Sequence, residues 1–320
     1  MPVQCSTCQV ITEVDLKLAV SAVNKAVVSV VPKSDFIIIT WTAAETQAMA
    51  LVFGKGLYAF DGQDDNNFTP LLFSDLAPPA GESYHAHFFR ATVNGKSVLC
   101  LKSEFHPKLQ PSETTLFFER LVGTGSAHNA GIIITSGTAG GIWASLDLGD
   151  VVVTNGARFG LTMPQEQQAL LLTGLANVVG ANGPAGYGNW YDYVNAEILK
   201  KDTCLNSGLI SAGGRKAASG PPSIYYKASA TDLTYVVTNS RISDDECGRI
   251  AKYRTLGATL DENDAYVASA LKAVAFTNWV SIRNVSDLPC AASSDDQYDR
   301  FGYCSSISGA YAIWAFIMSH

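Results

Sequence analysis

Two short segments of this chain are apolar almost throughout and rich in β-branched residues: Phe36-Ile-Ile-Ile-Thr40 and Ala130-Gly-Ile-Ile-Ile-Thr135. Runs of this kind fit strands covered on both faces, because a strand with one wet face alternates apolar and polar positions. Ala43–Phe53 follows the first run and residues 113–127 precede the second, both at helical spacing. Strands that alternate with helices in this way build an α/β domain with a central mixed sheet flanked by helices. Further strands are expected at Gly56–Phe60, Leu148–Thr154, Tyr235–Asn239 and Trp279–Val285. A hairpin is expected across Phe88–Leu101, turning at Asn94-Gly95. Helices are expected at 11–31, Ala265–Phe276 and Ser308–Ile317. Residues 1–34 read as an N-terminal helical extension and 35–320 as one domain. An insertion at about 160–225, rich in turn formers at Gly183–Gly188 and Ala217–Pro222, is read as lid or interface material.

Charge narrows the partners. Only 16% of the 320 residues are charged, against about 25% in an average globular chain. The deficit points to a large buried sheet and to subunit interfaces, hence a homo-oligomer. A net charge of −7 offers a nucleic-acid backbone no general attraction. The longest apolar runs fall short of the roughly 20 residues that span a bilayer. The first thirty residues lack a basic start followed by an apolar block, so no signal peptide is expected. The seven cysteines are odd in number, and read as free or buried thiols in a reducing, cytoplasmic setting. Cys5 and Cys8 form a lone C-x-x-C, which is weak as a metal site, and no metal or cofactor is expected.

The chemistry-bearing motifs lie in the second half. Thr135-Ser-Gly-Thr-Ala-Gly-Gly141 follows a buried strand, where glycines let backbone approach a ligand without a Cβ in the way. Gly149-Asp-Val-Val-Val153 and Ala157-Arg158 come next. Glu262-Asn-Asp264 precedes a helix, and Arg283-Asn-Val-Ser-Asp287 ends a strand. In that order and spacing they resemble the nucleoside phosphorylase and nucleosidase superfamily. The first group is similar to its T-G-x-A-G-G … G-D-[IV]-V-V … A-R pattern, and the last to its R-x-[IV]-S-D strand end. Glu262-Asn263-Asp264 falls where the nucleosidases carry E-M-E.

The resemblance implies a partly barrel-like sheet and cleavage of the N-glycosidic bond of a purine nucleoside or nucleotide. It implies that Asp287, beside Ser286, donates a proton to the departing base. Burial at a strand end would raise its pKa, as a general acid needs. It implies that Asp264 meets the ribose hydroxyls, with Glu262 nearby, and that Gly137 and Thr138 line the nucleophile's position. Asn263 replaces a methionine that usually packs against the sugar, so a more polar or phosphorylated sugar would fit better. Arg283 reads as a structural partner within its strand, and Asp150 as a turn residue without chemistry.

Water or phosphate as nucleophile is read from the first strand. Phosphorylases usually place glycine and arginine there. Ile39-Thr-Trp-Thr-Ala-Ala-Glu45 has neither, and no arginine occurs before Phe53. Glu45 falls where the hydrolytic members carry the glutamate that activates water, which points to a hydrolase; the plainer reading is an exposed first-turn residue favoured by the helix dipole. A phosphorylase using Thr138 and Arg158, and a non-catalytic nucleoside-binding or storage protein, remain as alternatives. Lys102, His106, Lys108 and Arg158 are candidates for phosphate groups of a nucleotide. Tyr235 with Thr238-Asn239-Ser240 is a candidate purine flank. His85 and His87 are a bare pair without an acidic partner pattern, and Trp190, Tyr191 and Tyr193 read as core or interface before lid.

Overall fold

Strand β1 (Ser34–Thr40) is buried at every position from Phe36 to Thr40. Phe36 and Ile38 face one hydrophobic core, while Ile37 and Ile39 face another. That division is why the run shows no polar alternation. The computed structural model describes residues 26–53, 68–123, 128–161, 171–202, 205, 221–226, 236–238, 244–290 and 294–320.

Among these residues the remaining strands are β2 (Thr69–Leu71), β3 (Ala86–Val93), β4 (Lys96–Ser103), β5 (Ala130–Gly141), β6 (Val151–Thr154), β7 (Gly156–Phe159), β8 (Leu171–Thr173), β9 (Ile224–Tyr226), β10 (Val236–Thr238), β11 (Thr259–Asp261) and β12 (Trp279–Asp287). They form one mixed sheet in the order β2-β3-β4-β1-β5-β11-β10-β7-β8. β12 pairs with β5 and β6, and β6 with β9. β4, β1, β5 and β12 run parallel. The helices are α1 (Ala43–Phe53), α2 (Pro111–Val122), α3 (Trp190–Glu197), α4 (Asp264–Ala273) and α5 (Ser294–Ser319), besides shorter turns. The core with Phe36 and Ile38 takes in α1, α3 and α5; the core with Ile37 and Ile39 takes in α2 and α4. This is the expected mixed sheet between helical layers. The hairpin turn falls at Asn94 (φ 50°) and Gly95 (φ 77°), which join β3 to β4.

Several local expectations change. The glycine-rich stretch 136–141 is the second half of β5 rather than a turn after it, and β12 pairs along it from Ile282 to Asp287. β12 in turn ends on a bulge: Val285 stands opposite Ala139 and Asp287 opposite Gly140, so Ser286 is the extra residue. A bulge bends a strand and re-aims its side chains, here at Asp287. Residues 26–31 are not helical. Val28 bridges to Leu71, its N–H donating to Pro70 O at 3.0 Å, so pairing with β2 overrides the helical spacing. The rest of that expected helix and Gly56–Phe60 lie outside the described residues.

The C-terminal helix starts earlier than its apolar face. Gln297–Ser319 is long and apolar enough to cross a membrane, but 78% of its most apolar stretch is buried inside the protein, where Phe316 packs edge-on to Phe36. In the insertion, Trp190 packs on Trp314, and the Tyr191 hydroxyl donates to Val178 O at 2.6 Å, which makes both core residues. The cysteine expectation is corrected in part. Cys100 is a free buried thiol, but Cys247 and Cys290 form a disulfide, and Cys304 is also disulfide-bonded. A separation of 43 residues hides the first pairing from any local pattern.

Candidate active site

β1 leads into α1 through Trp41 and Thr42 alone, and Thr42-x-x-Glu45 makes a capping box there. The Glu45 N–H donates to Thr42 Oγ1 at 3.3 Å. Glu45 Oε2 in return accepts from the N–H groups of Thr42 at 3.0 Å and Trp41 at 2.9 Å. The plainer reading of Glu45 therefore holds for half of its carboxylate, except that the residue is only 2% exposed. The other half faces β5: Oε1 accepts from the Thr138 N–H at 2.8 Å and hydroxyl at 3.1 Å. Such an approach needs glycine at 137. A Cβ there would lie 2.5 Å from Glu45 Oε1 and 2.9 Å from an Arg283 guanidinium nitrogen, and its φ of +155° disfavours other residues.

Arg283 is buried on β12 and reaches across to the start of α4. Its Nε donates to Asp264 Oδ2 at 2.8 Å, a terminal nitrogen donates to Asp264 Oδ1, and the same nitrogen lies 3.0 Å from Asp261 Oδ2. The Ser281 hydroxyl also donates to Asp264 Oδ2. Burial works against the guanidinium charge, yet the flanking carboxylates of Asp264 and Asp261 outweigh it and raise its pKa. The Trp41 ring covers the guanidinium, 5.1 Å from its carbon. Asp264, expected at the ribose hydroxyls, is thus 1% exposed with both oxygens engaged inside the protein.

Asp287 is half-buried, and its Oδ1 accepts from the Ser286 hydroxyl at 2.9 Å. Its Oδ2 lies 3.4 Å from where a Gly140 side chain would begin. Glu45, Gly137, Thr138, Arg283, Ser286 and Asp287 therefore stand along the paired ends of β5 and β12. Glu262 is exposed and bound to Lys108 at 2.8 Å. Asn263 is buried at the start of α4. Arg158 sits in β7, separated from β5 by β11 and β10.

Of the remaining cations, Lys102 is buried against Glu104 at 2.8 Å, and His87 meets the other Glu104 oxygen at 3.0 Å. Burial pushes the Glu104 pKa up, but the hydrogen bond from His87 and the Lys102 charge take it down to about 2. His85 takes an N–H from Phe73 on Nδ1 and gives its Nε2 proton to Leu76 O; burial lowers its pKa below 6.5. His106 is exposed. Asp150 accepts from the Asp147 and Ser223 N–H groups, both at 2.8 Å, as a turn residue does. Thr238 lies on β10, while Tyr235, Asn239 and Ser240 lie outside the described residues.

No protein-family model matches the sequence. Over 72 residues, 22% of the chain, it is 35% identical to a 5′-methylthioadenosine/S-adenosylhomocysteine nucleosidase of Psychromonas ingrahamii, and the match spans 28% of that relative's length. Solved structures match over nearly the whole chain. The nucleosidase of Colwellia psychrerythraea in complex with adenine has a TM-score of 0.55 at 13% identity, covering 91% of this chain and 97% of its own. That of Neisseria meningitidis in complex with methylthio-immucillin-A has a TM-score of 0.54 at 13% identity, covering 89% and 99%.

The chain has the nucleosidase fold. At that level the motif resemblance is confirmed: glycine strand, Ser-Asp strand end and acidic helix start lie on neighbouring elements of that fold. What the motifs did not reveal is Asp261 and Trp41, which hold Arg283, and Ser281, which holds its partner Asp264. The capping-box spacing Thr42-x-x-Glu45 was legible, and it places the Glu45 carboxylate over the N-terminus of α1.

Proposed function

We propose that the protein is an N-ribosyl hydrolase that cleaves the glycosidic bond of a purine nucleoside or nucleotide, releasing free base and sugar. The observation that carries this reading is the Glu45 carboxylate, buried at 2% exposure and aimed by its capping box at the Thr138 hydroxyl. Fixed in that way, Glu45 takes a proton from the attacking water, with Thr138 orienting it and Gly137 leaving room. Asp287, oriented by Ser286, gives a proton to the leaving base, so that it departs neutral. The water oxygen bonds to the anomeric carbon as the bond to the base nitrogen breaks, and the sugar leaves with the new hydroxyl. Arg283 keeps positive charge beside Glu45, and Asp264 with Asp261 holds Arg283 in place. The purine preference follows from the adenine and immucillin complexes of the proteins sharing the fold.

A second reading, a non-catalytic nucleoside-binding protein, is favoured by Asp264, whose oxygens are engaged by Arg283 and Ser281. Base release from a nucleoside and nucleotide panel, with and without phosphate, separates the readings. Phosphate-independent release, lost in Glu45→Gln and Asp287→Asn, is the expected result. Release only with phosphate would make the protein a phosphorylase. Binding without release would make it a binding protein.

A further inference from the structure

The R-x-[IV]-S-D strand end leaves its second position unassigned, and Asn284 occupies it. The residue is fully buried in β12, opposite Thr138 of β5 on one side and Val151 of β6 on the other. A strand covered on both faces is normally apolar, so a wholly buried amide there needs partners for both of its polar atoms. One orientation of the amide supplies them. The nitrogen donates to Gly137 O at 3.0 Å, and the oxygen accepts from the Ser306 N–H at 3.2 Å and the Ser305 hydroxyl at 2.9 Å, both on α5. The helix comes this close because residue 309 is glycine: a Cβ there would lie 2.7 Å from the Asn284 amide.

The Gly137 carbonyl and the Thr138 N–H belong to one peptide group, and a peptide group is planar. That N–H donates to Glu45 Oε1 at 2.8 Å. Asn284 and Glu45 therefore grip opposite ends of the same plane. Glycine's own torsions hold such a plane weakly, and Gly137, at φ +155°, has no Cβ to stop it turning. We propose that Asn284 is a positioning residue: it locks the Gly137–Thr138 peptide so that Thr138 stays on Glu45 Oε1 and the carboxylate stays aimed at the attacking water. The proposal rests on the nucleosidase reading for the role of Glu45, and extends it to a residue closed to solvent. A donor on the carbonyl also polarises the peptide and strengthens its N–H toward the carboxylate.

The test compares wild type with Asn284→Ala and with the milder Asn284→Ser, whose hydroxyl falls a bond length short of Gly137 O. Adenine release from adenosine should show kcat lower by about ten- to hundredfold, the value of one hydrogen bond to a charged group, with KM unchanged. Ser308→Ala, which removes the α5 hydroxyl bonded to Gly149 O at 2.6 Å, controls for loosening of the helix; it should melt lower but keep the wild-type kcat. Amide hydrogen exchange read by NMR tests the plane itself without substrate. The Thr138 N–H should exchange about tenfold faster in Asn284→Ala, with Ile133 and Ile134 of the same strand unchanged. Unchanged exchange at Thr138, or equal acceleration along β5, would overturn the proposal, as would an equal kcat loss in Ser308→Ala or a rise in KM alone. If wild type releases no base from adenosine, the nucleosidase reading fails separately, and the Thr138 exchange still decides for Asn284.

Discussion

Glu45 carries two tasks on one carboxylate, Oε2 closing the capping box and Oε1 facing Thr138. Glu45→Gln keeps a carbonyl oxygen for one of these tasks but cannot accept the water's proton. Steady-state base release should therefore fall by about 100- to 10,000-fold, with a stability loss of about 1 kcal/mol in urea unfolding. Gly137→Ala drives a methyl between Glu45 and Arg283. It should cost about 1–3 kcal/mol and remove most activity, with crystals of the variant showing the two groups spread apart. Arg283→Leu leaves Asp264 and Asp261 facing each other without a cation, and chemical denaturation should report a loss of about 3–5 kcal/mol. The family resemblance put Glu45, Thr138 and Asp287 forward as candidates. It could not show that Asp264 turns to Arg283, because that pairing depends on β12 lying beside β5 and on Ser281 and Asp261 filling the other contacts.

At the scale of elements, β1 and the first half of β5 were legible because strands covered on both faces need apolar residues throughout. The second half of β5 was not, since a run of glycines reads as a turn unless its neighbours are known. The close approach of Pro289 to Gly140, 2.5 Å from where a side chain would begin, shows what those glycines make room for. Residues 26–31 misled for a related reason: local spacing favoured a helix, and pairing of Val28 with Leu71 won. The β3–β4 hairpin carries a pH-dependent tie in His87, Glu104 and Lys102. Because the folded-state pKa of Glu104 is depressed from 4.5 to about 2, its contribution is complete above pH 4.5 and is lost as pH falls toward 2. Circular dichroism of urea unfolding across that window should show Glu104→Gln losing stability less steeply than wild type.

At the scale of the whole molecule, the mixed sheet between helical layers follows from the alternation of strands and helices, and the nucleosidase fold from the three motifs in register. The cysteine pairing did not, as disulfide partners 43 residues apart leave no local signature. With Cys247 and Cys290 bonded, the reducing setting read from the cysteines loses that support. Replacing both by serine should lower stability by about 2–4 kcal/mol, read from the urea midpoint, and a reductant, which also opens the Cys304 disulfide, should lower wild type at least as far. The central claim concerns the nucleophile. The most direct test is adenine release from adenosine by wild type and Glu45→Gln, in phosphate-free buffer and again with phosphate added. The nucleosidase reading expects release by wild type at the same rate in both buffers and almost none from the variant. Release that needs phosphate and ignores Glu45 would contradict it.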